Sequence, residues 1–292
     1  MDADPADPHV ARVATLPCWQ AEVTIAPLGG GITNRNFVVV DGESRYVTRI
    51  CEELPHLGIE RRNEVVCQKA AHQLGIAPEV RFSEPGVLVS EFLEARTCSD
   101  DDLRDLDLLR RVATTLRSLH DSWDRVTGEM LYFSPFQTVQ TYAVTARTLG
   151  AQLPDDIGAF LDDARTLARE VSPFTPTLCH NDLLAANVLN EGEMIYLVDW
   201  EYAGMGNRLF DLASVSSNAG LSDELEAEFL LAYRGELRNV DVQEVRILKT
   251  VSLLREALWA YIQAVASDID FDYCQYASDN LSAYQKARAA MR

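Results

Sequence analysis

Short runs in which apolar and polar residues alternate dominate the first third of the chain, and helical spacing dominates the rest. EVTIAPL (22–28), RNFVVVD (35–41) and SRYVTRI (44–50) read as strands, the last two joined by Asp41-Gly42, a hairpin signal. Residues 1–20 give only weak signals, a tail followed by a short helix. A polar helix is expected over 59–74, with Val65, Val66, Ala70 and Leu74 on one side and Gly75 as its stop. EVRFSE and VLVSEFL flank Pro85-Gly86 and read as two more strands. From Ser99 the texture turns helical. Ser99 and Asp102 fit a capping box, and Leu109, Val112, Leu116 and Leu119 carry helical spacing to residue 119. A second helical region covers 154–171. TLCHND (177–182) and VLNEGEMIYLVDWE (188–201) read as short strands with a turn at Glu191-Gly192, and helices follow near 222–235, 241–267 and 273–290. The expectation is an α+β protein of two lobes. Residues 1–93 form a small β-rich lobe with one main helix, Glu91–Ala95 a connector, and residues 94–292 a larger, mostly helical lobe.

Charge narrows the partners. The 292 residues hold 26 basic and 45 acidic groups, a net charge of −19. That excess argues against nucleic acid and against anionic lipid, both of which select basic surfaces. It is spread evenly along the chain, so it reads first as solubility, while permitting a cationic substrate. Six cysteines form no C-x-x-C pair and no zinc-type cluster with histidine, which suits free thiols in a reducing compartment. The start MDADPADPHV is unlike a signal peptide, and no apolar run is long enough to span a membrane. A soluble cytoplasmic protein is expected, as monomer or homodimer.

The strongest local chemical signal is Cys179-His180-Asn181-Asp182-Leu183-Leu184-Ala185-Ala186-Asn187, which contains His-x-Asp-x4-Asn. Downstream, a β-run ends in Val198-Asp199-Trp200-Glu201. Phosphoryl transfer needs this set. One carboxylate, Asp182, orients a hydroxyl and takes its proton, while an amide oxygen and a second carboxylate hold Mg²⁺ against the phosphates. Asn187 and Asp199 suit a metal that prefers oxygen ligands and few carboxylates. His180 is read as a loop support rather than a base, and His120, at the end of an apolar helix face, as structural.

Gly29-Gly30-Gly31, followed by Ile32-Thr33-Asn34, lies between two strands, where backbone amides can approach phosphate oxygens. It matches neither the Walker nor the Rossmann fingerprint, and taken alone it reads equally as a tight hairpin turn. The small lobe also needs a fixed cation. None of the three lysines lies in the third strand, but Arg49 does, bringing a planar fork of donors and a permanent charge. Glu64, on the following helix, is its candidate partner, though by itself it also reads as a solvated helix carboxylate.

In this order the motifs resemble the protein-kinase-like superfamily of small-molecule kinases, which includes aminoglycoside phosphotransferases. More narrowly they resemble the choline/ethanolamine kinases of bacterial type. The resemblance rests on Gly-Gly-Ile-Thr-Asn (30–34), Arg49, Arg62-Asn63-Glu64 and Cys179-His180-Asn181-Asp182. It extends through Asp199-Trp200-Glu201-Tyr202 with Phe210-Asp211, and a tail of Ala257-Leu258-Trp259, Gln263, Ile269 to Tyr273 and Tyr276-Ala277. It implies a bilobal protein-kinase-like fold. ATP would lie under the loop of Gly30, Gly31, Thr33 and Asn34, held by Arg49 and Glu64, with its adenine against Glu91 and Leu93. Asp182 would be the base, Asn187 and Asp199 the Mg²⁺ ligands, and the substrate a small cationic alcohol such as choline or ethanolamine.

The residues themselves support a cation site. Glu256, Trp259 and Gln263 share one helix face, and a tryptophan face with a nearby carboxylate attracts ammonium groups. Tyr202 is a second candidate wall, with Glu201 beside it. From periodicity alone, Trp259 reads equally as core packing. Two departures from the eukaryotic choline kinases of this family stand out. Glu256 takes the place of a first tryptophan, and Ser217-Asn218 stands where a glutamate is common. Choline, ethanolamine and other small aminoalcohols stay open as substrates. So do an aminoglycoside, thiamine or sugar-like alcohol, and a nucleotide-binding pseudokinase scaffold.

Overall fold

The computed structural model describes residues 7–29, 34–122, 124–267, 269 and 271–291. Gly30, Gly31 and Thr33 lie outside the described residues; Asn34 lies within them. Helix α1 (Pro8–Ala14) starts at an Asp7 cap and packs on a sheet of five antiparallel strands. These are β1 (Thr24–Leu28), β2 (Arg35–Asp41), β3 (Ser44–Ile50), β4 (Val80–Glu84) and β5 (Val87–Glu91), in the order β1-β2-β3-β5-β4. Asp41 pairs with Ser44, and Gly42 turns the chain at φ 61°, a conformation glycine adopts without strain. The Asp41 carboxylate accepts the amides of Gln20 at 2.9 Å and Ala21 at 3.0 Å, so the hairpin end also anchors the N-terminal segment.

Helix α2 (Arg61–Gln73) follows β3, but its buried side differs from the expected apolar stripe. Val65 and Val66 are half-buried, whereas Arg61, Asn63, Glu64 and Gln68 are buried alongside Cys67, Ala70 and Ala71. The first turn of α2 faces a charged cluster, and only its second half faces the hydrophobic core.

After β5 comes a helical part. The strand β6 (Arg96–Thr97) pairs with β8 (Val188–Glu191), which pairs with β9 (Met194–Leu197); β7 (Thr177–Cys179) pairs with β10 (Gly204–Gly206). The Ser99–Asp102 capping box is present, but it opens only the short α3 (Asp100–Leu103). The amphipathic stretch forms a separate helix, α4 (Leu106–His120), capped by Asp105. Helices α5 (Pro135–Thr148) and α6 (Ile157–Ala168) precede β7. After β10 come α7 (Arg208–Asn218), α8 (Asp223–Arg234), α9 (Asn239–Ala266) and α10 (Tyr273–Ala290). The sequence pattern did not anticipate α5, α7, β6 or β10. One core joins α4, α7 and α8 to the 180–187 loop; a second joins α5, α6, α9 and α10. No helix among the described residues is long and apolar enough to cross a membrane.

Candidate active site

The 180–187 loop between β7 and β8 is held from below by one buried carboxylate. Asp211, in the first turn of α7, accepts the amides of His180 at 2.9 Å and Asn181 at 2.7 Å, and meets His120 Nε2 at 3.0 Å. His120 Nδ1 in turn lies 2.8 Å from the Tyr233 hydroxyl. Asp211, which the sequence groups with the metal segment, is therefore a brace for the loop. His120, Cys179 and Asp211 are the one His/Cys/Asp/Glu group among the described residues close enough to share a metal ion. All three are buried, and the ligand atoms of His120 and Asp211 are already spent on each other and on the loop. His180 is buried too. Its Nε2 lies 2.9 Å from the Val198 carbonyl, its ring packs 4.8 Å from Trp200, and burial pushes its pKa down. This geometry suits support of the loop rather than base catalysis.

Asp182 keeps its side chain 21% exposed above this brace. Burial pushes its carboxyl up to about 7; Arg255 pulls the other way, and Glu256, Asp199 and Glu201 add to the rise. Asn187 donates its Nδ2 to the Asp182 carbonyl at 2.9 Å, a bond that does not use its Oδ1. The Asn187 carbonyl accepts the Val198 amide at 3.0 Å and so ties the loop to the segment carrying Asp199. Asp199 takes φ 66°, a left-handed conformation that aspartate tolerates better than most side chains, and stays 33% exposed. Asn187 and Asp199 together offer one amide oxygen and one carboxylate, a donor set that fits Mg²⁺ and no thiophilic metal.

Opposite stands a cluster built from both parts of the chain. Arg49 on β3 pairs with Glu64 on α2 and with Asp199, the latter at 2.5 Å. Arg61 reaches Glu64 at 2.9 Å, Glu201 at 2.8 Å and the Asn34 Oδ1 at 3.1 Å. Burial works against the charge of Arg49, but Asp199 and Glu201 outweigh it and hold the guanidinium firmly protonated. Burial and Asp199 push Glu201 up, while Arg49 and Arg61 restrain the rise. Two arginines against Glu64, Asp199 and Glu201 leave this cluster with one more carboxylate than guanidinium. Glu91 lies at the far end of β5, exposed and opposite Tyr46; Leu93, two residues on, is half-buried. Neither bonds to this cluster among the described residues. The amides of Glu91 and Phe92 are spent on Glu79 and Arg45, and the Leu93 amide donates to no group among the described residues.

On the other side of Asp182 lies the expected cation seat. Arg255 contacts Asp182 at 3.3 Å and Glu256 at 3.1 Å, with its guanidinium 4.6 Å from the ring centre of Tyr202. Glu256 also accepts the Tyr276 hydroxyl at 3.1 Å. Tyr276 belongs to a closed circuit of four rings. Trp259 meets Tyr273 at 5.8 Å and Tyr276 at 6.2 Å, and Phe271 meets the same two tyrosines at 4.9 and 5.9 Å, all edge to face. Trp259 is thus half-buried in an aromatic cluster beside Glu256. Glu201 joins the arginine cluster instead of the seat, although with Tyr202 it lines a cleft of about 430 Å³ beside α5.

Sequence reasoning missed Arg255, Arg61 and the role of Asp211. A signal existed for each. Arg255 is a basic residue among the apolar positions of a buried helix, and Arg61 stands i, i+3 from Glu64. Asp211 lies in an almost wholly buried helix, where a lone carboxylate needs partners.

The profile of the phosphotransferase enzyme family matches residues 24–247. Protein LicA of Haemophilus influenzae is 27% identical over 268 residues, covering 86% of this chain and 97% of that protein. Ethanolamine kinase 1 of Homo sapiens is 25% identical over 315 residues, covering 93% of this chain and 69% of that protein. The crystal structure of a choline/ethanolamine kinase family protein from Mesorhizobium loti is 27% identical, with a TM-score of 0.78 over 95% of this chain and 92% of that one. With a buried brace beneath Asp182, an arginine–carboxylate cluster opposite it and a family match over most of its length, the chain belongs to the phosphotransferase enzyme family.

Proposed function

We propose that the chain transfers the γ-phosphoryl group of ATP to the hydroxyl of a small ammonium alcohol of the choline and ethanolamine type. One observation carries this reading. Asp182 is joined through Arg255 and Glu256 to the four-ring cluster, so a proton acceptor and a seat for an organic cation belong to one continuous network. Ammonium groups favour aromatic faces and carboxylates, which suits an alcohol with a charged head. The similarity to LicA and to ethanolamine kinase 1 supports the same substrate class.

In this reading residues up to about 93 hold the nucleotide and the rest hold the acceptor. The free Leu93 amide faces the adenine edge, with Glu91 beside it. Gly30, Gly31, Thr33 and Asn34 cover the phosphates, and Arg49, steadied by Glu64, neutralises them. Asn187 and Asp199 would hold Mg²⁺, which when bound spreads the phosphate charge. Asp182 orients the acceptor hydroxyl and takes its proton. The hydroxyl oxygen bonds to the γ-phosphorus as the bond to the β–γ bridging oxygen breaks, and ADP leaves with that electron pair. The six free cysteines suit a reducing, cytoplasmic setting.

The test is ADP release across a panel of choline, ethanolamine, the intermediate methylated ethanolamines, thiamine, an aminoglycoside and a neutral sugar. Highest kcat/KM on an ammonium alcohol is expected. Best turnover on the neutral sugar would remove the argument from the cation seat, and nucleotide binding without any turnover would point to a scaffold.

A further inference from the structure

The face of Tyr202 is already taken. An arginine from the chain itself lies 4.6 Å from the ring centre, and the same guanidinium lies 5.7 Å from the ring of Phe133. Arg255 is held there by Asp182 and Glu256, and its side chain is only 4% exposed. Tyr202 is buried, 8% exposed, with this guanidinium against its ring. A quaternary ammonium has no N–H to give to a carboxylate and depends on aromatic faces, and with Arg255 on Tyr202 the wall nearest Asp182 is withdrawn, leaving only the rings beside Glu256. A primary ammonium needs less room and satisfies itself by donating to carboxylate oxygens. The charges agree. Arg255 cancels one of the two carboxylates it bridges, which leaves attraction for a single small cation.

We propose that Arg255 is a specificity-determining residue, which by occupying the face of Tyr202 restricts the acceptor to primary and sparsely methylated ammonium alcohols and disfavours trimethylated ones. This rests on the ammonium-alcohol reading above and refines it.

The experiment measures kcat/KM for ethanolamine, its mono- and dimethyl forms and choline, with the wild-type protein and with Arg255→Met and Arg255→Lys. The methionine retains an apolar stem and loses the charge and the planar fork; the lysine retains the charge. A ratio of kcat/KM values within one variant cancels any loss from a disturbed Asp182, which a merely structural role would impose on every alcohol alike. The wild type is expected to fall with each added methyl, ending about tenfold lower for choline, and Arg255→Met to move that ratio toward choline by about tenfold. Arg255→Lys is expected to retain the wild-type order. If Arg255→Met binds but does not turn over, calorimetric affinities for the two end members give the same ratio. If it does not fold, the wild-type methylation series decides alone. A series that rises with methylation, or a ratio unmoved in Arg255→Met, overturns the role of Arg255 while leaving the ammonium-alcohol reading standing. Failure of the wild type to phosphorylate any member of the series overturns both.

Discussion

Asp182 is pulled in two directions. Burial and three neighbouring carboxylates favour its proton, and Arg255 favours its charge, with the outcome near 7. Only the ionised form accepts a proton, so kcat/KM for the acceptor alcohol is expected to rise with pH through about 7, falling about tenfold per unit below it. A pH profile from 5 to 9 reads this directly, and an acidic limb near 4, the range of an ordinary aspartate, would contradict it. Asp182→Asn retains the shape and the Arg255 contact while removing the proton acceptor. Turnover is expected to drop by about 10²–10⁴-fold, with ATP affinity within about twofold of wild type by calorimetry. At this scale the sequence was informative wherever a residue type and spacing imply chemistry, as for Asp182, Asn187 and Asp199. It was silent on Arg255, because which side of a buried helix meets the 180–187 loop is decided by packing between α9 and its neighbours.

The strands of the sheet were legible because alternation and turn residues mark them locally; β2 and β3 match the expected runs residue for residue. Helices α5 and α7 were not. The sequence of α5, PFQTVQTYAVTART, mixes threonine and glutamine through its length and owes its start to the Ser134 cap and Pro135. In α7 nearly every residue is buried, polar ones included, so no apolar stripe exists to be read. The partners are distant in sequence: Asp211 serves His180 and Asn181, 31 and 30 residues away. Asp211→Ala is expected to cost about 3 kcal/mol of stability and to lower turnover without touching any substrate atom, measured by urea unfolding and ADP release. β10 depends on a close approach, since a Cβ on Gly204 would stand 2.5 Å from the Leu131 carbonyl oxygen. Gly204→Ala is expected to lose about 1–3 kcal/mol by the same unfolding measurement.

For the whole molecule, the net charge of −19 resolves into local balances. The arginine cluster holds two cations against three carboxylates, and Arg255 sits between two more acids. The sheet and the helical part meet through Arg49–Asp199 and Arg61–Glu201, contacts that span 150 and 140 residues of sequence. A third link carries no charge. Asn63 donates to the Ala203 carbonyl at 2.7 Å and accepts the Leu131 amide at 2.8 Å. A joint made of neutral amide bonds is blind to ionic strength and to pH, unlike its two charged companions. Asn63 ties α2 to Ala203 and Leu131, while Arg61 and Glu64 of the same helix tie it to Glu201 and Arg49. Amide hydrogen exchange in α2 is therefore expected to stay slow in low and high salt and to change little when nucleotide is added; a large nucleotide-induced slowing there would contradict the joint. The helix that carries Glu64 is thus built as a fixture rather than a lever. In an enzyme assembled this way, turnover is expected to follow the supply of its two substrates, with no lag while this helix is repositioned.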